Sequence, residues 1–593
     1  MKKLFVSLLA TFMLLTGCSS SNAKTEEPQQ SVSTALISGT YTGSAEGFHG
    51  PVAVSVTISE SKITSIEVTD SIETRFISDN AIKELPQDII DNQSVLVDSY
   101  SGCTISSNAL KNAVKNALTE AGVLDLFQNE VAKEESSDEN LDADVVVVGG
   151  GMAGLASSIT AAENGSKVIL VEKLDRVGGS TVESGGILYA TGSSVNKNLD
   201  NDVDALVNYW QERAEGHANE NMLKIAAEGS AVSVDKLQEW GVLFSTKVGT
   251  AGTSSAQRAL YASNENANGE ATDGVDFIVP LLNTAEEKGV QILTGVEAEE
   301  LIVEDNVVSG ITAKSDTKNY IIHAKSVILA TGGYDLSNEM MKEHSPELAG
   351  TFAISSPGNT GDGIVMAEKV GAATNYYGGV IGFKIIDPTK HYIEGSNLLG
   401  WLGLLGVTDN GTRFGNEAAD YPIFCTELIN AEKEGANKFF LIFDSASELN
   451  VSLGEEAIAK SLGYKADTLE ELGEVAGINS ANLIDTVKKY NETFASGEAD
   501  EFGKQISASV ENGPFYAIEI KPATLGTIGG LLISEKAEVL DAEDNPIANL
   551  YAAGEVANSQ FFYKEYPASG SSISITTTFG RIAGQSASEN ANK

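Results

Sequence analysis

Apolar and polar residues alternate in short runs between residues 37 and 72, as in Val52-Ala53-Val54-Ser55-Val56-Thr57-Ile58 and Ile63-Thr64-Ser65-Ile66-Glu67-Val68. Separated by Gly, Pro and Ser, such runs predict strands with one buried face, and hence a small α+β unit. A helix-like stretch follows around residues 79–91. From about Phe127 to Asp142 the chain turns acidic and polar, through Glu130, Glu134, Glu135, Asp138 and Glu139, which reads as a linker. Alternation then gives way to continuous apolar runs, Val145-Val146-Val147-Val148 and Val168-Ile169-Leu170-Val171. Uninterrupted β-branched runs are expected of strands covered on both faces.

The residues between these runs bring in chemistry. Gly149, Gly151 and Gly154 let the backbone turn tightly into a helix whose N-terminus faces a pyrophosphate, and Glu172 ends the second strand where its carboxylate can accept ribose hydroxyls. A glycine-rich turn alone also serves packing. Strand, glycines, helix, second strand and terminal acid in this order predict a dinucleotide cradle. Arg176-Val177-Gly178-Gly179-Ser180-Thr181 and Ser184-Gly185-Gly186 add a second glycine-rich segment, able to pass close to the isoalloxazine side of a long flavin, which favours FAD over NAD.

Helical stretches at about 201–240 and 271–288 follow, then strand-like segments at 290–293 and 326–330. Much later Asn549–Val556 reads as a strand ending in Gly554-Glu555, and Thr578–Gly584 opens a final helix. The cofactor domain is therefore split, and the intervening residues should form a cap over the flavin. The fold class expected is α/β: a Rossmann-like FAD-binding domain (142–355 and 510–593) with an inserted α+β cap (356–509), preceded by a small α+β domain (36–126) and a linker (127–141).

The N-terminus alters this picture. Met1-Lys2-Lys3, an apolar run from Leu4 to Leu15 and Leu15-Thr16-Gly17-Cys18 predict a lipoprotein signal peptide (1–17) acylated at Cys18, followed by a polar tether (18–35). Cys103 and Cys425 are too few for a disulfide framework or for iron–sulfur or zinc ligation, and the five histidines lack metal-ligand spacing, so no metal is expected. A net charge of −44 makes nucleic acid a poor partner.

Ser101-Gly102-Cys103-Thr104 resembles the attachment motif of FMN-binding domains, with Cys103 where that family's Ser-Gly-Ala-Thr has alanine. The resemblance implies FMN joined covalently to Thr104 by a dedicated flavin transferase. A threonine oxygen beside Gly102 in a turn is open to attack a phosphoanhydride, and a helix capped by Ser106 or Ser107 would face the phosphate. A plain Ser/Thr-rich N-cap fits the same letters.

From about residue 142 to 590 the chain resembles the flavoprotein family of soluble fumarate reductase, urocanate reductase and 3-ketosteroid dehydrogenase. The resemblance rests on the glycine cradle with Glu172, Ala330-Thr331-Gly332-Gly333, Thr360-Gly361-Asp362-Gly363, Gly411-x-Arg413-Phe414-x-Asn416-Glu417 and Ala553-Gly554-Glu555. It implies non-covalent FAD contacts at Ala153, Glu172, Ser180, Thr181, Gly185, Gly186, Asp362, Glu555 and Ile573, with FMN relaying electrons to FAD.

The departures bear on substrate. Three dicarboxylate-handling residues of the fumarate reductases, two arginines and a histidine, correspond to Gly400, Pro567 and Gly526. Binding a dianion without those cations would leave charge uncompensated, at several kcal/mol. Tyr566-Pro567-Ala568-Ser569-Gly570 instead looks like the ketosteroid dehydrogenase segment in which a tyrosine hydroxyl and a glycine N–H hold the substrate carbonyl. Tyr566 packing on FAD, with Ser569-Gly570-Ser571 as an N-cap turn, is the alternative. Phe561, Phe562 and Tyr563 suit either an apolar substrate or the core. Tyr376, Tyr377 and Tyr392 stand as proton-donor candidates because the cap must supply an acid.

The expectation is thus a lipid-anchored, extracytoplasmic reductase of a small α,β-unsaturated carbonyl compound, fed by a membrane electron donor. Ketosteroid-like dehydrogenation and a non-catalytic two-flavin electron carrier are the alternatives.

Overall fold

Three antiparallel strands, Gly39–Glu46, Pro51–Ser59 and Lys62–Asp70, pair in chain order at the N-terminal side of a computed structural model. It describes residues 37–593 apart from 133–135, 195, 253, 264–272, 387–403, 420, 460 and 565. The expected signal peptide, the tether, Cys18, Tyr392 and Gly400 lie outside the described residues. Along the middle strand Val52, Val54, Val56 and Ile58 point one way, and the helix Thr104–Glu120 covers them with Leu110, Ala113, Val114 and Ala117 at helical spacing.

The second sheet is built around Ser137–Val148, which lies parallel between Val168–Glu172 and Lys318–Leu329. Val145 to Val147 are wholly buried, as an unbroken apolar run requires. The expected linker is shorter than its acidity suggests, because Ser137 to Asp142 already pair with Lys318 to His323. Acidic residues are tolerated in this strand because its first half is exposed on alternate positions and basic neighbours face them: Lys318 reaches Glu139 at 2.5 Å. Lys318–Leu329 changes partner along its length, from Val307–Lys314 to Pro546–Ala552, and so joins the two parts of the split domain. The helices Met152–Glu163 and Ser571–Ala591 pack on each other where Gly580 and Gly584 approach the backbone of Ala153 and Ser157.

The cap is organised by one long strand, Phe515–Leu531, and its sheet crosses the boundary expected at 509/510. The first half of that strand pairs with Phe439–Phe443 and Gly463–Ala466, the second half with Thr374–Ile386, and Leu531 N–H donates to Val556 of the cofactor domain at 2.9 Å. The Gly411-x-Arg413-Phe414-x-Asn416-Glu417 motif serves the cap's own core. Glu417, 1% exposed, accepts from Arg413 (2.7 Å), Lys504 (2.9 Å) and Gly406 N–H (2.7 Å).

Candidate active site

The turn between Val148 and Met152 divides its glycines by task. At Gly149, where φ is 104°, a Cβ would come within 2.3 Å of the Ala330 carbonyl, and at Gly154 within 1.8 Å of the Gly149 carbonyl. Gly149 lets the turn pass against the neighbouring strand, and Gly154 closes the turn on itself. A Cβ on Gly151 would meet nothing nearer than Gly179 Cα at 3.8 Å. It would only fill the cleft at a helix N-terminus, which is the space a pyrophosphate needs. Glu172 accepts Gly150 N–H at 2.7 Å and Leu174 N–H at 2.9 Å. Burial pushes its carboxyl upward while these two N–H groups hold it down.

One cleft takes in most of the residues foreseen from sequence. Gly149, Gly151, Ala153 and Glu172 line it, with Ser180, Thr181, Gly185 and Asp362. Glu555, Ile573, Tyr566 and Gly570 line the same cleft. Gly154 and Gly186 lie outside the lining: Gly154 packs within the turn, and Gly186, at φ 67°, lies where a Cβ would be 2.7 Å from the Asp273 carbonyl. Asp362 opens the helix Asp362–Glu368 and is bound by Lys173 at 2.5 Å, which ties that helix to the residue after Glu172.

Around Glu555 the structure assembles a network that sequence reasoning missed. Thr527 N–H (2.6 Å) and Asn359 Nδ2 (3.2 Å) donate to Glu555, and Asn359 also donates to Asp335 at 2.6 Å. Asp335 accepts further bonds from Ser355 and Thr524. Burial and the facing Asp335 carboxylate push Glu555 up to about 7. Asn359 stands beside the Thr-Gly-Asp-Gly motif and was within reach of a motif reading. Asp335 and Thr527 carry no local signal.

In the same cleft the Tyr566 oxygen accepts Ser572 N–H at 2.9 Å, which seats the ring at the first turn of the last helix. Gly570, at φ 87°, caps that helix, and a Cβ there would lie 2.8 Å from Tyr189 N. Ile354, Ile381 and Leu525 give the same cleft apolar surface. Among its described lining residues the one cation is Lys173, already paired with Asp362. Phe561 and Phe562 are core, each 2% exposed. Phe561 packs edge-on against Phe579, and Tyr563 stacks on His217. Tyr376 and Tyr377 stand outside the cleft lining: Tyr377 stacks on His344 and Tyr376 meets Tyr563 at a tilt, in an irregular stretch of their strand where Gly529 leaves room for the Tyr377 ring.

Thr104 is exposed as the first residue of its helix. Ser106 and Ser107 do not cap that helix; both are buried in its first turn, where Ser106 donates to Glu73 and Ser107 accepts Tyr100 N–H. The turn before Thr104 rests on the cofactor domain. Ser101 donates to Asp175 through its N–H (2.5 Å) and hydroxyl (2.9 Å), Asn80 donates to the Asp175 carbonyl (2.9 Å), and Arg75 pairs with Asp276 (2.8 Å).

Comparison with known proteins agrees with this geometry. Residues 144–573 match the FAD binding domain family and residues 47–119 the FMN-binding domain family. The chain is 29% identical to an NADH:acrylate oxidoreductase of Vibrio harveyi over 94% of its own length, but spans only 62% of that relative. It is 30% identical to a urocanate reductase of Eggerthella lenta, with 92% of each chain covered. Among solved structures it resembles the open conformation of a flavocytochrome c3 fumarate reductase, with a TM-score of 0.65 and 28% identity over 76% of this chain and 79% of the other. The chain belongs to the FAD binding domain family and carries an FMN-binding domain ahead of that region.

Proposed function

We propose that this protein is a two-flavin reductase of a C=C bond conjugated to a carbonyl, with FMN on Thr104 and FAD in the cleft. When bound, FAD supplies the hydride for the β-carbon and FMN supplies its electrons. Attachment of FMN exchanges the Thr104 O–H for an O–P bond, breaks the phosphoanhydride of a flavin dinucleotide donor and releases a nucleoside monophosphate. Tyr566 and Gly570 hold the substrate carbonyl and stabilise the charge that gathers on its oxygen as the β-carbon is reduced. A proton added at the α-carbon completes the saturated product.

The observation that carries this reading is the make-up of the cleft around Tyr566 and Gly570. Tyr566 is anchored beside Gly570 on a partly apolar wall, while the described lining offers a dianion only a lysine already paired with Asp362. Acrylate and urocanate, for which two relatives are named, each place one C=C next to one carboxyl group. The proposed substrate shares that conjugation and lacks a second carboxylate. Acylation at Cys18 would hold the enzyme on the outer face of the membrane, where a membrane donor reduces FMN.

The test is anaerobic. The photoreduced holoprotein is mixed with a panel of enones, monocarboxylic enoates and dicarboxylates, and reoxidation of FAD is followed. Enones or enoates should reoxidise it at least about tenfold faster than fumarate, the factor given by one uncompensated contact of about 1.4 kcal/mol. Reoxidation by fumarate at the highest rate would sink the substrate class. Reoxidation only by small flavins or ferric chelates would leave an electron carrier.

A further inference from the structure

The loop Leu174–Val177 holds the Thr104-bearing turn from the opposite domain, and one side chain in it is poorly satisfied. Arg176 has only 6% side-chain exposure; its Nη2 reaches the Gly102 carbonyl at 3.4 Å and Glu183 at 3.5 Å, both long, and its Nε is buried with no hydrogen-bond partner. Glu183 balances the charge only at that long distance and leaves Nε unmet, so an anion at Nε would offset the cost of burying it. Nε faces the FMN turn, since a Cβ built on Gly102 would lie 3.4 Å from it. The helix Thr104–Glu120 begins two residues later, so its first N–H groups add a positive field at the same place.

We infer that Arg176 is the phosphate-positioning residue of the FMN site, supplied by the cofactor domain to the phosphodiester that links FMN to Thr104. The inference rests on the reading that Thr104 carries FMN. Its consequence is that attachment tightens the domain contact. Before attachment the turn is held through Asp175 and Thr104 remains exposed to a transferase; afterwards the phosphodiester engages Arg176. Arg176 also pairs with Glu183, which lines the FAD cleft, so one side chain would connect the FMN linkage to the wall of the FAD site.

The experiment uses full-length protein produced with a flavin transferase, as wild type, Thr104→Val, Arg176→Gln and Arg176→Lys. Covalent flavin is read by fluorescence in denaturing gels, FAD content by release, and domain contact by amide hydrogen exchange across residues 99–104 and 174–177. Exchange in both segments should be roughly tenfold slower in wild type than in Thr104→Val, as expected for a charge-assisted contact. That difference should vanish in Arg176→Gln and survive in part in Arg176→Lys, which keeps the charge and loses the fork. Covalent flavin lost from Arg176→Gln but kept in Arg176→Lys, with FAD retained, supports the same contact acting during attachment. Full protection in flavinylated Arg176→Gln overturns the role of Arg176 and leaves Thr104 standing. Absence of covalent flavin from wild type, or its persistence in Thr104→Val, overturns the Thr104 reading and this inference with it.

Discussion

Two parts of the FAD cleft are built on opposite plans. The cradle, Gly149 to Glu172, comes from one strand, one turn, one helix and the next strand, with its turn set by backbone contacts, among them Gly149 against the Ala330 carbonyl of the neighbouring strand. The remainder draws Asp335, Asn359, Thr527, Glu555, Tyr566 and Gly570 from separate stretches, within the cap and on both sides of it. A locally built site depends on backbone fit, and a distributed one on side chains delivered by the whole fold. Substitutions should therefore fail differently in the two parts.

The largest effect is expected within the cradle and should split its glycines. Gly154→Ala places a methyl 1.8 Å from a backbone carbonyl that cannot move without breaking the turn, so the variant should fail to accumulate as folded protein. Gly151→Ala meets nothing within the protein closer than 3.8 Å. It should fold, with a melting temperature near wild type after FAD removal, yet bind FAD roughly ten- to a hundredfold more weakly, since crowding of this kind typically costs about 1–3 kcal/mol. Thermal melts and flavin titration of both variants check this. Equal behaviour would mean that the turn is not divided as described.

Next in size is Tyr566→Phe in the distributed part. The ring stays and the hydroxyl goes, so FAD content should hold while the substrate-dependent rate falls by a factor on the order of 10², as for loss of one oxyanion donor. Ser572 N–H loses its partner, so a stability loss of about 1 kcal/mol should accompany it. Stability loss with an undiminished rate would reduce Tyr566 to a helix-seating residue.

The same contrast explains what the sequence disclosed. The cradle was legible because Val145 to Val148, three glycines and Glu172 carry periodicity, turn chemistry and a terminal acid in one line. Strands at 52–58 and 63–68 were legible because alternation maps directly onto a half-buried sheet. Ser137 to Asp142 were misread because acidic composition resembles a linker, and only pairing with Lys318 to His323 makes it a strand. Asp335 and Thr527 were invisible for the opposite reason: each is unremarkable in its own neighbourhood and acquires a partner only when Phe515–Leu531 crosses from cap to cofactor domain. Arg176 was quoted within a glycine-rich segment, but its contact with Gly102 needs two domains in place.

The smallest effect expected is a pH dependence of stability, and it too belongs to the distributed part. Glu555 is pushed up to about 7 from an ordinary 4.5 by burial and by Asp335, with Thr527 and Asn359 as its donors. Because the folded-state value is raised, the folded protein keeps a proton that the unfolded chain releases near 4.5. The stabilisation is complete below pH 4.5 and is lost as pH rises through 7, with a slope of at most about 1.4 kcal/mol per pH unit. Glu555→Gln mimics the protonated form, so its urea midpoint should change less between pH 5 and 7.5 than that of wild type. Parallel curves for the two proteins would show that Glu555 does not hold its proton over this range, and that the donors from Thr527 and Asn359 outweigh both burial and the neighbouring carboxylate.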